Sequence, residues 1–136
     1  MREAHRFFEY RIEAVGEVRR FVRGVARSWA VDGDDLALVT GELSANAIQH
    51  ARTPFMVHLS LDQRVTRAGV FDQSDLLPRR RSPKLFEAGG RGILIVEALS
   101  RRWGVHLMPT GKIVWAELTT GKARRGAVDA GPVPLP

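Results

Sequence analysis

Two stretches of the chain alternate apolar and polar residues at strand period, and each is broken once by a short turn-forming run. Residues 55–61 and 65–71 are separated by the polar Asp62-Gln63-Arg64, and residues 105–108 and 112–118 by Pro109-Thr110-Gly111. A hairpin that alternates in this way has one apolar face, which is stable in water only when another element covers it. The sequence supplies three covers. Residues 13–30 set Val18, Phe21, Val22, Val25 and Trp29 at helical spacing, with Arg19, Arg20, Arg23 and Arg27 on the opposite, solvated face. Residues 35–51 form a second helix, entered through a turn at Gly33, capped by Asp34 or Asp35, and stopped ahead of Pro54. Residues 92–102 form a third, which starts directly from a run of glycines and ends in two arginines. With a short first strand at residues 4–10, the predicted order is strand, helix, helix, two strands, helix, two strands. This is an α+β two-layer sandwich with the helices on one face of the sheet.

The chain has 136 residues, enough for one domain and a packed core. It contains no cysteine, which excludes disulfide scaffolds, thiol catalysis and cysteine-ligated metal sites. No apolar run is long enough to span a bilayer, and Arg2, Glu3 and Arg6 stand where a signal peptide would be apolar. The expectation is a soluble, cytoplasmic protein without membrane contact. The net charge of +6 is unevenly placed: residues 76–91 carry +4, residues 120–136 carry +2, and the remainder balances. A neutral body with a basic loop and a basic tail favours a local anion site over a nucleic-acid groove. Residues 73–91 show no period of either kind and read as a functional lid or an insert. Residues 120–136 read as a disordered tail behind a single domain at 1–119.

Three places could carry chemistry. On a helical projection of residues 35–51, Leu36, Val39, Thr40, Leu43 and Ala47 form the buried face, and Glu42 and Asn46 lie one turn apart on its border. A carboxylate and a carboxamide stacked there either hold a ligand between helix and sheet or hydrogen-bond to a neighbouring loop. Asp72 closes a strand just before the long loop, as an acceptor for a ligand amine or as ordinary turn chemistry. Gly89-Gly90-Arg91-Gly92 opens the third helix, either as an anion cradle with Arg91 as a charged donor or as a flexible helix start. Thr110-Gly111-Lys112 lacks the rest of a Walker loop and reads as a hairpin turn with a lysine in it. His5, His50, His58 and His106 form no zinc-protease pattern, and no serine lies in a nucleophile elbow.

In this order the three pieces resemble the motifs of GHKL-type ATPases, and within them the small bacterial anti-sigma-factor serine kinases and their single-domain relatives in high-G+C bacteria. Glu42 to Ala51, ELSANAIQHA, is similar to the N box, and residues 90–118, with GRGILIVEALSRRWGV and GKIVWAEL, are similar to the last third of that domain. The resemblance covers about residues 7–118. It implies a Bergerat fold, a mixed sheet covered on one face by helices, with ATP between helices and sheet under the lid. Carried over by position, Asn46 would coordinate Mg²⁺, Glu42 would be the general base, and Asp72 would accept from the adenine amino group. Gly90 and Gly92 would let the backbone approach the phosphates; the role given to Arg91 comes from its charge alone. The family's first glycine box, Asp-x-Gly-x-Gly, reads here Asp72-Gln73-Ser74-Asp75-Leu76, without either glycine.

The function implied is an ATP-dependent protein-serine/threonine kinase that phosphorylates a serine of an anti-anti-sigma, STAS-type partner and sequesters a sigma factor. The alternative is a catalytically weak or inactive regulatory module acting by protein binding alone. Both leave a homodimer open, and neither calls for direct nucleic-acid contact.

Overall fold

The structure, a computed structural model, describes residues 1–74, 92–120 and 133–134. Its elements are β1 (Arg2–Phe8), α1 (Ala14–Ser28), α2 (Asp34–Asn46) continuing into a five-residue π-helical turn (Ala47–Ala51), β2 (Phe55–Asp62), β3 (Val65–Asp72), α3 (Gly92–Leu99), β4 (Arg102–Met108), β5 (Gly111–Thr119) and the two-residue β6 (Val133–Pro134). The strands form one sheet in the order β1-β2-β3-β5-β4-β6. The first five pair antiparallel throughout, and β6 adds to β4 in parallel through Arg102↔Val133. The α+β sandwich expected from the periodicity is therefore the fold. Within the tail expected to be disordered, Val133–Pro134 forms this short strand; the rest of the tail lies outside the described residues.

The strand alternation sorts the two faces. Phe55, Val57 and Leu59 of β2, Ala68 and Val70 of β3, and Val114, Ala116 and Leu118 of β5 face the helices and are buried. They meet Val18 and Val22 of α1, Leu36, Val39 and Leu43 of α2, and Val96 of α3 in one continuous core. Phe8 ties β1 into it, stacked on Phe55 at 5.6 Å and edge-on to Phe21 at 6.0 Å. On the opposite face, Trp115 is covered by the guanidinium of Arg67 4.0 Å from its ring.

Two local expectations are corrected. Neither Asp34 nor Asp35 caps α2 from its end: Gly33 stands at the cap, and Asp32 Oδ1 accepts the Asp34 N–H at 3.0 Å. The two acidic residues instead occupy the first turn, where their negative charge complements the positive end of the helix dipole. The third helix stops at Leu99, not at 102. Arg101 N–H already donates to Glu117 O at 2.7 Å, so the arginines belong to the start of β4. Pairing across the sheet edge outcompetes another helical turn at that point.

Candidate functional site

The helix α2 delivers the first part of the site. Its expected stripe of Leu36, Val39, Thr40, Leu43 and Ala47 is buried, and the Thr40 hydroxyl donates back to Leu36 O at 2.6 Å. Ala37, Gly41 and Ser44 are also buried, because α1 packs on the flank that the projection assigns to solvent. Glu42 and Asn46 remain half-buried at the border of that face. Gly92, the first residue of α3, lies directly against them. A Cβ on Gly92 would stand 3.0 Å from Glu42 Oε1 and 3.8 Å from Asn46 Oδ1. A side chain at this position would crowd the Glu42 carboxylate, which would have to give by a few tenths of an ångström. Three residues distant in sequence, Glu42, Asn46 and Gly92, are thus brought together.

Among the described residues four buried side-chain atoms have no hydrogen-bond partner, Arg19 Nε, Ser44 Oγ, Asn46 Nδ2 and Ser100 Oγ, and Asn46 Nδ2 and Arg19 Nε belong to this cluster. A buried donor without an acceptor costs about 1–3 kcal/mol, so an acceptor brought to Asn46 Nδ2 would be stabilising. Arg19 lies over Gly41, where a Cβ would come within 2.6 Å of its Nε, and its Nη2 is 3.9 Å from Glu42 Oε2. It was expected on a solvated face; instead it brings a positive charge beside the Glu42 carboxylate. No α1 periodicity signals this, because Arg19 reaches its neighbour across the length of its own side chain. The π-helical turn after Asn46 carries the chain into Arg52, whose φ of 56° ends it in the left-handed region.

The second part is built from strand ends. Asp72 and Lys112 are direct cross-strand partners of β3 and β5, both on the helix-covered side and 2% and 4% exposed. Lys112 Nζ donates to Asp72 Oδ1 at 2.8 Å and to Oδ2 at 3.0 Å, and it lies 3.4 Å from Ser74 O. The Ser74 N–H donates to Asp72 Oδ1 at 2.9 Å. Gly111, at φ 152°, makes this register attainable, since a Cβ there would fall 2.0 Å from Asp72 O. Lys112 was expected at the start of the last strand, beside the hairpin turn, and stands there; the buried ion pair it forms was not anticipated. The signal was available, because Lys112 continues the inward set Val114, Ala116, Leu118 by one step of two.

The two parts share one end of the sheet. Phe55, which follows the π-helical turn, pairs with Asp72, and Thr53 Oγ1 accepts the Gln73 N–H at 3.2 Å. The positions expected for Gly90 and Arg91, and the lid at 76–91, lie outside the described residues.

A nucleotide and its metal can be tested against these donors. Mg²⁺ typically takes one or two protein oxygens and completes its shell with phosphates and water. Asn46 offers one such oxygen, Oδ1, on the side of Gly92, while its orphaned Nδ2 is a donor and suits an acceptor such as a phosphate oxygen, not the metal. Among the described residues no three His, Asp or Glu side chains gather into a self-sufficient metal site. At the other end the fit is poorer: Asp72, the expected acceptor for the adenine amino group, already accepts three hydrogen bonds from the protein.

A five-stranded antiparallel sheet, helices on one face, and a polar cluster on the covering helix opposite a glycine at the start of the next helix define the frame of a GHKL ATPase domain. The chain belongs to the family of histidine kinase-like ATPase domains, whose model matches residues 8–118. Its fold is also that of the crystal structure of the RsbU and RsbW domains of Rv1364c from Mycobacterium tuberculosis, with a TM-score of 0.68 at 19% identity. That likeness covers 91% of this chain, which spans 34% of the other. No curated protein matches the sequence. Among the described residues no helix is long and apolar enough to cross a membrane.

Proposed function

We propose that this domain is an ATP-binding, anti-sigma-factor-type protein-serine kinase that phosphorylates a serine of a STAS-type anti-anti-sigma partner and sequesters a sigma factor. The observation that carries the reading is the Asn46 amide nitrogen, a buried donor unpartnered among the described residues, beside Glu42 and the glycine start of α3. The family supports nucleotide binding, and the likeness to a structure containing an RsbW domain supports the regulatory setting.

The roles follow from the chemistry of each group. Asn46 would hold Mg²⁺, which when bound neutralises phosphate charge. Gly92, having no side chain, would let phosphate oxygens approach the N-terminal N–H groups of α3. Glu42 takes the proton of the attacking serine hydroxyl as its Oγ bonds to the γ-phosphorus and the β–γ bridging P–O bond breaks, releasing ADP. Arg19 keeps a positive charge next to that carboxylate and orients it.

A second reading, a regulatory module acting by protein binding alone, is favoured by the saturated Asp72 and by the missing glycines at Ser74 and Leu76. Incubation with Mg-ATP and a serine-bearing STAS protein separates the two. The kinase reading expects phosphoserine on the partner. A stable complex with the partner and no phosphoserine at any ATP concentration would support the second.

A further inference from the structure

The pair Asp72–Lys112 remains unexplained by the proposed reaction. Its geometry is unusually complete for a position where a ligand contact is expected. The carboxylate accepts Lys112 on both oxygens and the Ser74 N–H on one of them. The ammonium directs its hydrogens at Asp72 and towards Ser74 O. Both side chains are almost wholly buried. The lysine is also not a mobile visitor: its Cα is held directly opposite Asp72 by the β3–β5 register, and Gly111 closes the hairpin onto the Asp72 backbone.

We infer that Lys112 is a specificity-determining residue that occupies the base-reading carboxylate, so that the site takes nucleoside triphosphates by their phosphates and does not discriminate the base. The inference rests on the nucleotide-binding reading above. An adenine amino group is a neutral donor. If it replaced Lys112 it would displace an ammonium that is charged, bound to both oxygens and out of water, leaving a buried charge unpaired; if it added to the pair it would share an oxygen whose charge Lys112 already neutralises. A guanine faces the same closed pair, because the hydrogens of Lys112 are already directed at protein oxygens. What separates ATP from GTP therefore has no free partner in this pair. The unpartnered Asn46 Nδ2, beside Gly92, is a donor suited to phosphate oxygens, which the two nucleotides have in common.

The test is calorimetric titration of the full chain with Mg-ATP and with Mg-GTP, in the wild type, in Lys112→Met, in Asp72→Asn and in Asn46→Ala. The expected result is wild-type affinity for the two nucleotides within threefold, both lost in Asn46→Ala, and a preference for ATP of tenfold or more appearing in Lys112→Met. Should Lys112→Met fail to fold, the wild-type comparison stands alone. A wild type that prefers ATP by tenfold or more, with that preference lost in Asp72→Asn, overturns the inference and leaves the nucleotide site intact. Binding of neither nucleotide, or equal binding that survives Asn46→Ala, overturns the nucleotide site itself and the inference with it.

Discussion

The two ends of the candidate site differ in how far the protein satisfies its own polar groups. At the α2–α3 end, among the described residues, Asn46 Nδ2 and Arg19 Nε are buried with no partner, and the ion pair of Glu42 is a 3.9 Å approach from Arg19. At the β3–β5 end, Asp72 accepts three hydrogen bonds from Lys112 and Ser74. Folding alone does not favour the first arrangement, since an unpaired amide costs stability and asparagine is a poorer helix former than alanine by about half a kcal/mol. The second resembles a structural clasp. The difference is that Asn46 Nδ2 has an acceptor to gain from a ligand, whereas Asp72 already holds a charged partner from the protein itself.

The largest effect expected from breaking this contrast is on catalysis. Glu42→Gln keeps the shape of the open end but cannot take a proton, so phosphoryl transfer should fall by roughly 10²-fold or more while Mg-ATP still binds. Transfer at the wild-type rate would remove Glu42 from the reaction. At the closed end the effect is on stability. Asp72→Ala leaves the Lys112 charge buried without its partner, and denaturant unfolding should show a loss of about 3–5 kcal/mol. A loss under about 1 kcal/mol would mean that the clasp is not what holds the strand ends together. The smallest effect is at Arg19, about two-fifths exposed and 3.9 Å from Glu42. Arg19→Met should slow transfer about two- to fivefold, in line with the roughly 0.2–1 kcal/mol of a partly solvated pair. Unchanged transfer in that variant would make Arg19 a spectator.

Much of this was legible in the sequence where one period dominates. The stripe of α2 placed Glu42 and Asn46 at the border of the core because a straight helix fixes every side chain once its apolar face is known. Two features escaped that logic. The burial of Gly41 and Ser44 comes from α1, whose position relative to α2 no single-helix pattern encodes. The π-helical turn at Ala47–Ala51 shifts the hydrogen-bond register without any change in composition that would announce it. The role of Lys112 was missed for a different reason: its place at the start of the strand 112–118 is legible, but the Thr-Gly-Lys run draws attention to the turn and not to the alternation that carries this side chain inward. The Asp72–Lys112 pair then required knowledge of strand order, since β5 and not β4 lies beside β3.

The contrast between the two ends is tested most directly at Asn46. Asn46→Ala removes the unpartnered amide and substitutes a better helix former, so the variant should fold and be as stable as the wild type or slightly more so. Calorimetric titration with Mg-ATP, run beside denaturant unfolding, should then show Mg-dependent binding in the wild type and none in the variant. Equal Mg-ATP affinity in the two, or a variant that has lost its fold, would contradict the account, because the amide would then be serving the structure and not a ligand.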